Sequence, residues 1–118
     1  MMHSIFFARH FKHQLKKLEK KFPHVRDDLL NILEASGNPL KNAVSLGKSI
    51  YKLRVGSTDM RKGKSGGFRV YIYFYIQKTL MVPLCMYTKS STENMSDGEL
   101  KYHFDQVNQE LLQTLLHL

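Results

Sequence analysis

Seven cationic or aromatic side chains fall on one parity of three strand-like segments. Side chains alternate faces along a strand. In residues 49–55 (SIYKLRV), Tyr51, Leu53 and Val55 therefore share one face, and Lys52 and Arg54 the other. In residues 68–76 (FRVYIYFYI), Phe68, Val70, Ile72 and Phe74 form the apolar set, while Arg69, Tyr71, Tyr73 and Tyr75 point the opposite way. In residues 80–88 (LMVPLCMYT), Leu80, Val82, Leu84 and Met86 are the apolar set, and Tyr87 takes the other parity with Lys89 just beyond. If the apolar faces meet helices, the opposite face carries Lys52, Arg54, Arg69, Tyr71, Tyr73, Tyr87 and Lys89. The glycine-rich stretch 56–67 (GSTDMRKGKSGG) adds Arg61, Lys62 and Lys64 at one end. Cations interleaved with rings suit a single-stranded nucleic acid, because charges meet phosphates and rings stack on bases. An ordinary solvated sheet face also carries Tyr, Lys and Arg. The convergence of several cations beside a basic loop favours a polyanion site.

Other chemistries lack their residues. Gly63-Lys64-Ser65 matches the end of a phosphate loop, but the required first glycine falls at Thr58, and the context is strand-loop-strand. There is no GxGxxG. The six histidines (His3, His10, His13, His24, His103 and His117) show no HxxxH pair and no carboxylate pairing of metal-ligand type. His10 and His13 meet on one helix face, which alone is a weak metal signal. No metal or cofactor is expected. Ser65, Ser90 and Ser91 have no His-Asp constellation around them.

The elements that position these residues follow from periodicity. Residues 4–8 (SIFFA) read as a short strand. Phe11, Leu15, Leu18 and Phe22 then recur at helical spacing, with Lys12, Lys16, Lys17, Lys20 and Lys21 on the other sides, until Pro23 ends the helix. A second helix is expected over 25–35. Val25, Leu29, Ile32 and Leu33 lie on its inner side, Asp27 and Asp28 sit at its positive end, and a stop falls at Ser36-Gly37-Asn38-Pro39. Three strands follow, the last two joined by the short connection Gln77-Lys78-Thr79. Pro83 marks an edge or a bulge, since it lacks an N–H for the ladder. Ser96-Asp97-Gly98-Glu99 fits a capping box. It opens a long amphipathic helix along Leu100, Phe104, Val107, Leu111, Leu115 and Leu118. The expected fold class is α+β in the order β-α-α-β-β-β-α, a mainly antiparallel sheet with a helical hairpin on one face and a C-terminal helix.

Charge and composition bound the rest. The chain has 118 residues, a formal net charge of +8 and a single cysteine. One domain over 1–118 is expected, with no internal disulfide. Residues 1–26 and 48–69 each hold seven basic residues and one acidic one, on an otherwise mildly acidic chain. Two such blocks point to a polyanion partner. The longest apolar run, residues 80–87, is far short of a membrane span. The N-terminal MMHSIFFARHF lacks the basic start and cleavage site of a signal peptide. A cytoplasmic location and no membrane partner are expected.

The element order, with Tyr51-Lys52-Leu53-Arg54-Val55, then RKGKSGGFRV at 61–70, then Tyr87-Thr88-Lys89-Ser90, resembles the RelE/ParE superfamily of toxins from type II toxin–antitoxin modules. The similarity is to its RelE/HigB-like branch and spans about residues 4–110. It implies a RelE-like fold, a metal-independent mRNA endoribonuclease (mRNA interferase) acting in many cases on the ribosome to inhibit translation, and a cognate antitoxin. The same fold also carries gyrase inhibitors, so a non-catalytic ParE-like toxin or an RNA-binding module is the alternative. In such an enzyme the 2′-OH attacks the adjacent phosphate. By motif position Lys52, Arg54, Arg69 and Lys89 match basic residues of the family; from face parity and this resemblance Arg69 and Arg54 would hold that phosphate, Lys52 or Lys64 would activate the 2′-OH, and Tyr87 or Lys89 would serve the leaving group. Arg61, Lys62, Tyr71 and Tyr73 would bind flanking RNA. Several members place a catalytic Tyr or His in a short C-terminal tail. Here residues 89–94 lead into a long helix instead, and Tyr87 is a partial substitute.

Overall fold

The computed structural model describes residues 4–35, 38–60, 66–91 and 94–117. The stop expected at Ser36-Gly37 and the loop cations Arg61, Lys62 and Lys64 lie outside the described residues. The chain runs β1 (Ser4–Ile5), α1 (Arg9–Lys21), α2 (Val25–Leu33), β2 (Val44–Ser45), β3 (Ile50–Val55), β4 (Phe68–Tyr75), β5 (Leu80–Thr88) and α3 (Asp97–Leu116), with a 3-10 turn at Ile76–Lys78. The sheet order is β1-β5-β4-β3-β2. Neighbours are antiparallel except β1, which lies parallel to β5. The two-residue β2 lay below the periodic signal of the sequence, and β1 is shorter than the apolar run at 4–8.

Helices cover both faces of the sheet. On one face α1 and α2 bury Phe11, Leu15, Val25, Leu29 and Leu33 against Leu53, Val55, Val70, Ile72, Met81 and Met86. On the other, α3 lays Val107 and Leu111 against Tyr71, Val82, Leu84, Cys85 and Tyr87, with Tyr73, Leu100 and Phe104 at its margin. Each strand of the β3–β4 pair keeps its expected parity. β5 does not. The register shifts between Tyr71, paired with Cys85, and Ile72, paired with Pro83, which leaves Leu84 as the extra residue of a bulge. The bulge reverses the alternation, so Met81 and Met86 face the hairpin while Val82, Leu84 and Cys85 face α3. The expected apolar set Leu80, Val82, Leu84 and Met86 is therefore split between the two faces. Pro83 sits at this bulge, where its missing N–H leaves the ladder least disturbed.

Specific polar contacts fix the helices. Gln14 Oε1 accepts the N–H of Met86 at 2.8 Å. β1 pairs only with Leu80 and Met81, so the outer edge of β5 beyond them needs such a partner. Glu110 of α3 accepts the N–H groups of Arg9 and His10 at 2.8 and 3.0 Å, placing a carboxylate at the positive end of α1. Ser96 caps α3 by accepting the Glu99 N–H at 3.2 Å, as the capping-box pattern expects, and its hydroxyl donates to the Glu99 carboxylate at 3.0 Å.

Candidate functional site

The cations on β3 and β4 lie at the end of the sheet where β3 and β5 finish and β4 begins. Arg54 is directly opposite Arg69, and Arg69 is in turn opposite Tyr87. Lys52 is opposite Tyr71, two residues along. All lie on the face away from the helical hairpin. Directly opposed side chains have β-carbons about 5 Å apart, and diagonal ones about 7–8 Å, so Lys52, Arg54 and Arg69 form one cluster.

Glycine backbone holds this cluster together. Arg54 donates to the Gly66 carbonyl at 3.4 Å. The Lys89 N–H donates to the Gly67 carbonyl at 3.2 Å, which carries the β4–β5 pairing one step further and brings Lys89 beside the end of β4. Gly67 has φ +98°, and a β-carbon there would meet the Val55 carbonyl oxygen at 2.7 Å. Only glycine fits so close to β3. The Gly67 N–H donates to Met60 Sδ at 2.9 Å.

Strand alternation leads one to expect an open aromatic face, and α3 covers part of it. Tyr71 is 3% exposed and Tyr87 8%. Tyr73 meets Phe104 edge-on, with ring centroids 5.1 Å apart. Tyr71 and Tyr73 are thus built into the α3 interface and are not free stacking platforms in this conformation. The reason is that α3 presents a stripe of its own, which needs an apolar partner, and tyrosine rings supply one. The Tyr87 hydroxyl donates to that of Tyr71 at 3.3 Å. Burial, followed by this contact, pushes the Tyr87 phenol well up, against a smaller opposing effect of Arg69. Cys85 is buried, and burial pushes its thiol up to about 12. It has the character of an inert core thiol.

Several positioning residues carried no signal in the sequence. Asn94 accepts from Lys52 Nζ at 3.3 Å and so ties the approach to α3 to the cationic cluster. His24 contacts Asp59 through its backbone N–H at 2.8 Å and through Nδ1 at 2.7 Å. Thr58 N–H donates to Asp28 at 2.9 Å. These two contacts clamp the start of the basic loop to α2. Each pair is about thirty residues apart in sequence and met only through the fold. Among the described residues no group of three His, Cys, Asp or Glu side chains is arranged to hold a metal. No helix among them is long and apolar enough to cross a membrane.

The mainly antiparallel sheet is thus walled by a helical hairpin and a C-terminal helix and carries a cation cluster at one end. A sequence model of the RelE toxin of the RelE/RelB toxin–antitoxin system matches residues 3–116. The chain belongs to the RelE toxin family, and membership implies an antitoxin partner. Among solved structures, a free-state Escherichia coli toxin RelE bearing two arginine-to-alanine substitutions is similar in fold. It has a TM-score of 0.50 and 16% identity, over 92% of this chain and 97% of that one. No curated protein matches the chain.

Proposed function

We propose that this toxin is an endoribonuclease that cuts mRNA on the translating ribosome through attack of the 2′-OH on the adjacent phosphate. The observation that carries this reading is the pairing of Arg54 directly opposite Arg69. This register puts two guanidinium groups within reach of one anion. A phosphate between them accepts charge-assisted hydrogen bonds from both planar forks. As the 2′-oxygen attacks, the phosphorus gains a fifth oxygen and its negative charge grows, and two fixed cations stabilise that state more than the ground state.

The proton inventory fits the same chemistry. Lys52, two residues from Arg54 on the same face, or Lys64 of the loop takes the 2′-OH proton. Tyr87 or Lys89 supplies the proton to the departing 5′-oxygen. Burial keeps the Tyr87 phenol protonated but makes it a weaker acid, and its O–H is given to the Tyr71 hydroxyl, so to serve the leaving group it must turn from Tyr71. Arg61 and Lys62 contact the flanking strand.

Primer extension on mRNA in a translating extract tests the reading. The toxin is expected to produce discrete breaks, and Arg69→Ala to reduce them about 100-fold or more, as when one preorganised charge-stabilising donor is removed. Full cleavage by Arg69→Ala, or growth arrest through gyrase with intact mRNA, would overturn it. Loss of the breaks when translation is blocked is the expected sign of ribosome dependence.

A further inference from the structure

The N-terminal basic block takes no part in the site above. The fold concentrates it on α1. Arg9, His13, Lys17 and Lys21 recur every four residues and are all exposed, so they form one stripe that advances about 6 Å per step. This stripe borders two depressions. Arg9, His13 and Lys17 line a cleft between α1 and α3 that has Tyr102 and Gln106 on its far wall. Lys17 and Lys21 line a groove between α1 and the end of β5 that has Tyr87, Thr88 and Ser91 on its far wall. Gln14 and Lys17 belong to both, so the two adjoin at these residues. The trough runs from the start of α1 to Tyr87, the residue opposite Arg69.

Its build suits a nucleic-acid strand. The lysines stand on the rim, and Leu18 and Phe22 lie between them in the lining. Lys21 Nζ sits 5.8 Å from the centre of the Phe22 ring. Tyr102 is exposed at the other end and meets His10 edge-on. The carboxylates nearby are committed: Glu110 to Arg9 and the α1 amides, and Glu19 to Arg26 at 3.0 Å. Lys17 and Lys21 therefore carry the positive potential of the trough.

We infer that this trough is a track for single-stranded RNA flanking the phosphate held at Arg54 and Arg69, with Lys17 and Lys21 contacting its backbone. The inference rests on the ribonuclease reading and names the path of that substrate. An acidic protein segment would seek apolar anchors as well as charge. Leu18 and Phe22 of the lining are half-buried and packed against the core, and the exposed apolar side chains Leu112 and Leu116 are not among the residues that line the trough.

Fluorescence anisotropy with 5′-fluorescein-labelled oligouridylates of four and twelve nucleotides, titrated at several salt concentrations, tests the track. The wild type is expected to bind the longer strand more tightly. The Lys17→Gln/Lys21→Gln pair should lose that gain while binding the short strand as before, and its log–log salt slope should be shallower by about 1.4, at about 0.7 per lost phosphate contact on a single strand. Lys12→Gln/Lys16→Gln removes the same charge from the neighbouring side of α1, which lines neither depression, and should keep the gain. Unchanged binding of the longer strand by the first pair, or equal loss by the second, overturns the track. So does a first pair that keeps RNA affinity and loses the antitoxin, since the trough is then a protein interface. Cleavage in translating extract separates the two readings. A wild type that cuts mRNA without a length gain sinks the track alone. One that shows the gain through Lys17 and Lys21 but leaves mRNA whole sinks the ribonuclease reading alone.

Discussion

Replacing Gly67 by alanine should unfasten the strand end that organises the candidate site. The residue has φ +98°, and an added β-carbon would lie 2.7 Å from the Val55 carbonyl oxygen, a main-chain atom that cannot rotate away. A non-glycine residue in such a conformation costs about 1–3 kcal/mol. Relieving the contact spreads the Val55–Phe68 rung and gives up roughly one hydrogen bond, about 1 kcal/mol. The expected loss is about 2–4 kcal/mol, out of a typical total of about 5–15. For a chain of this length that corresponds to a fall in Tm of about 8–16 °C. Urea unfolding reads it as a lower midpoint at an unchanged slope. Gly98→Ala is the control. Gly98 sits in the first turn of α3 with nothing within 4 Å of an added β-carbon, so alanine there should be neutral or stabilising by up to about 1 kcal/mol. If Gly67→Ala falls within about 0.5 kcal/mol of wild type, the range of ordinary surface changes, the steric argument fails. The folded fraction of Gly67→Ala should also cut RNA more slowly, because Gly66 and Gly67 carbonyls hold Arg54 and Lys89.

Three further outcomes are expected. The Asp59 hydrogen bond raises the His24 pKa above its ordinary 6.5, and the same contact lowers Asp59 below 3.8. The His24 contribution is present below 6.5 and is lost as pH rises through its folded value, while that of Asp59 is present above 3.8 and is lost as pH falls through its folded value. NMR titration should find His24 elevated and returned toward 6.5 in Asp59→Asn; an unmoved His24 would break the clamp. His10 Nε2 and His103 Nδ1 lie 2.8 Å apart, a contact that needs one neutral ring, and burial lowers both pKa values. This contribution is present above the ordinary histidine value and is lost as pH falls through the lowered ones. Protection factors of the amides of residues 100–107, taken against intrinsic exchange rates, should therefore fall as pH drops through these lowered values, and less so in His103→Gln; protection factors that do not change with pH would argue against it. Finally, the antitoxin complex should show exchange protection over 52–69 or 100–118. Leu112 and Leu116, 48% and 81% exposed, offer apolar anchors, and protection at neither region would refute this mode of inhibition.

Periodicity alone was enough for the helices and the long strands. The stripe Phe11-Leu15-Leu18-Phe22 and the alternation of 68–75 are local facts that any compact fold must honour by burying one side. The same alternation put Lys52, Arg54 and Arg69 on one face, since β3 and β4 run without interruption from Ile50 to Val55 and from Phe68 to Tyr75. What escaped it depended on distant chain. The bulge at Leu84 reversed the parity of β5, because register is set by the partner strand and not by the strand itself. α3 closed over Tyr71 and Tyr73, because a helical stripe says that a face will be buried but not against which sheet. The partners of Lys52, His24 and Met86, namely Asn94, Asp59 and Gln14, are single polar residues dozens of positions away. A lone polar residue has no period, and only the tertiary structure decides which backbone or side chain it reaches.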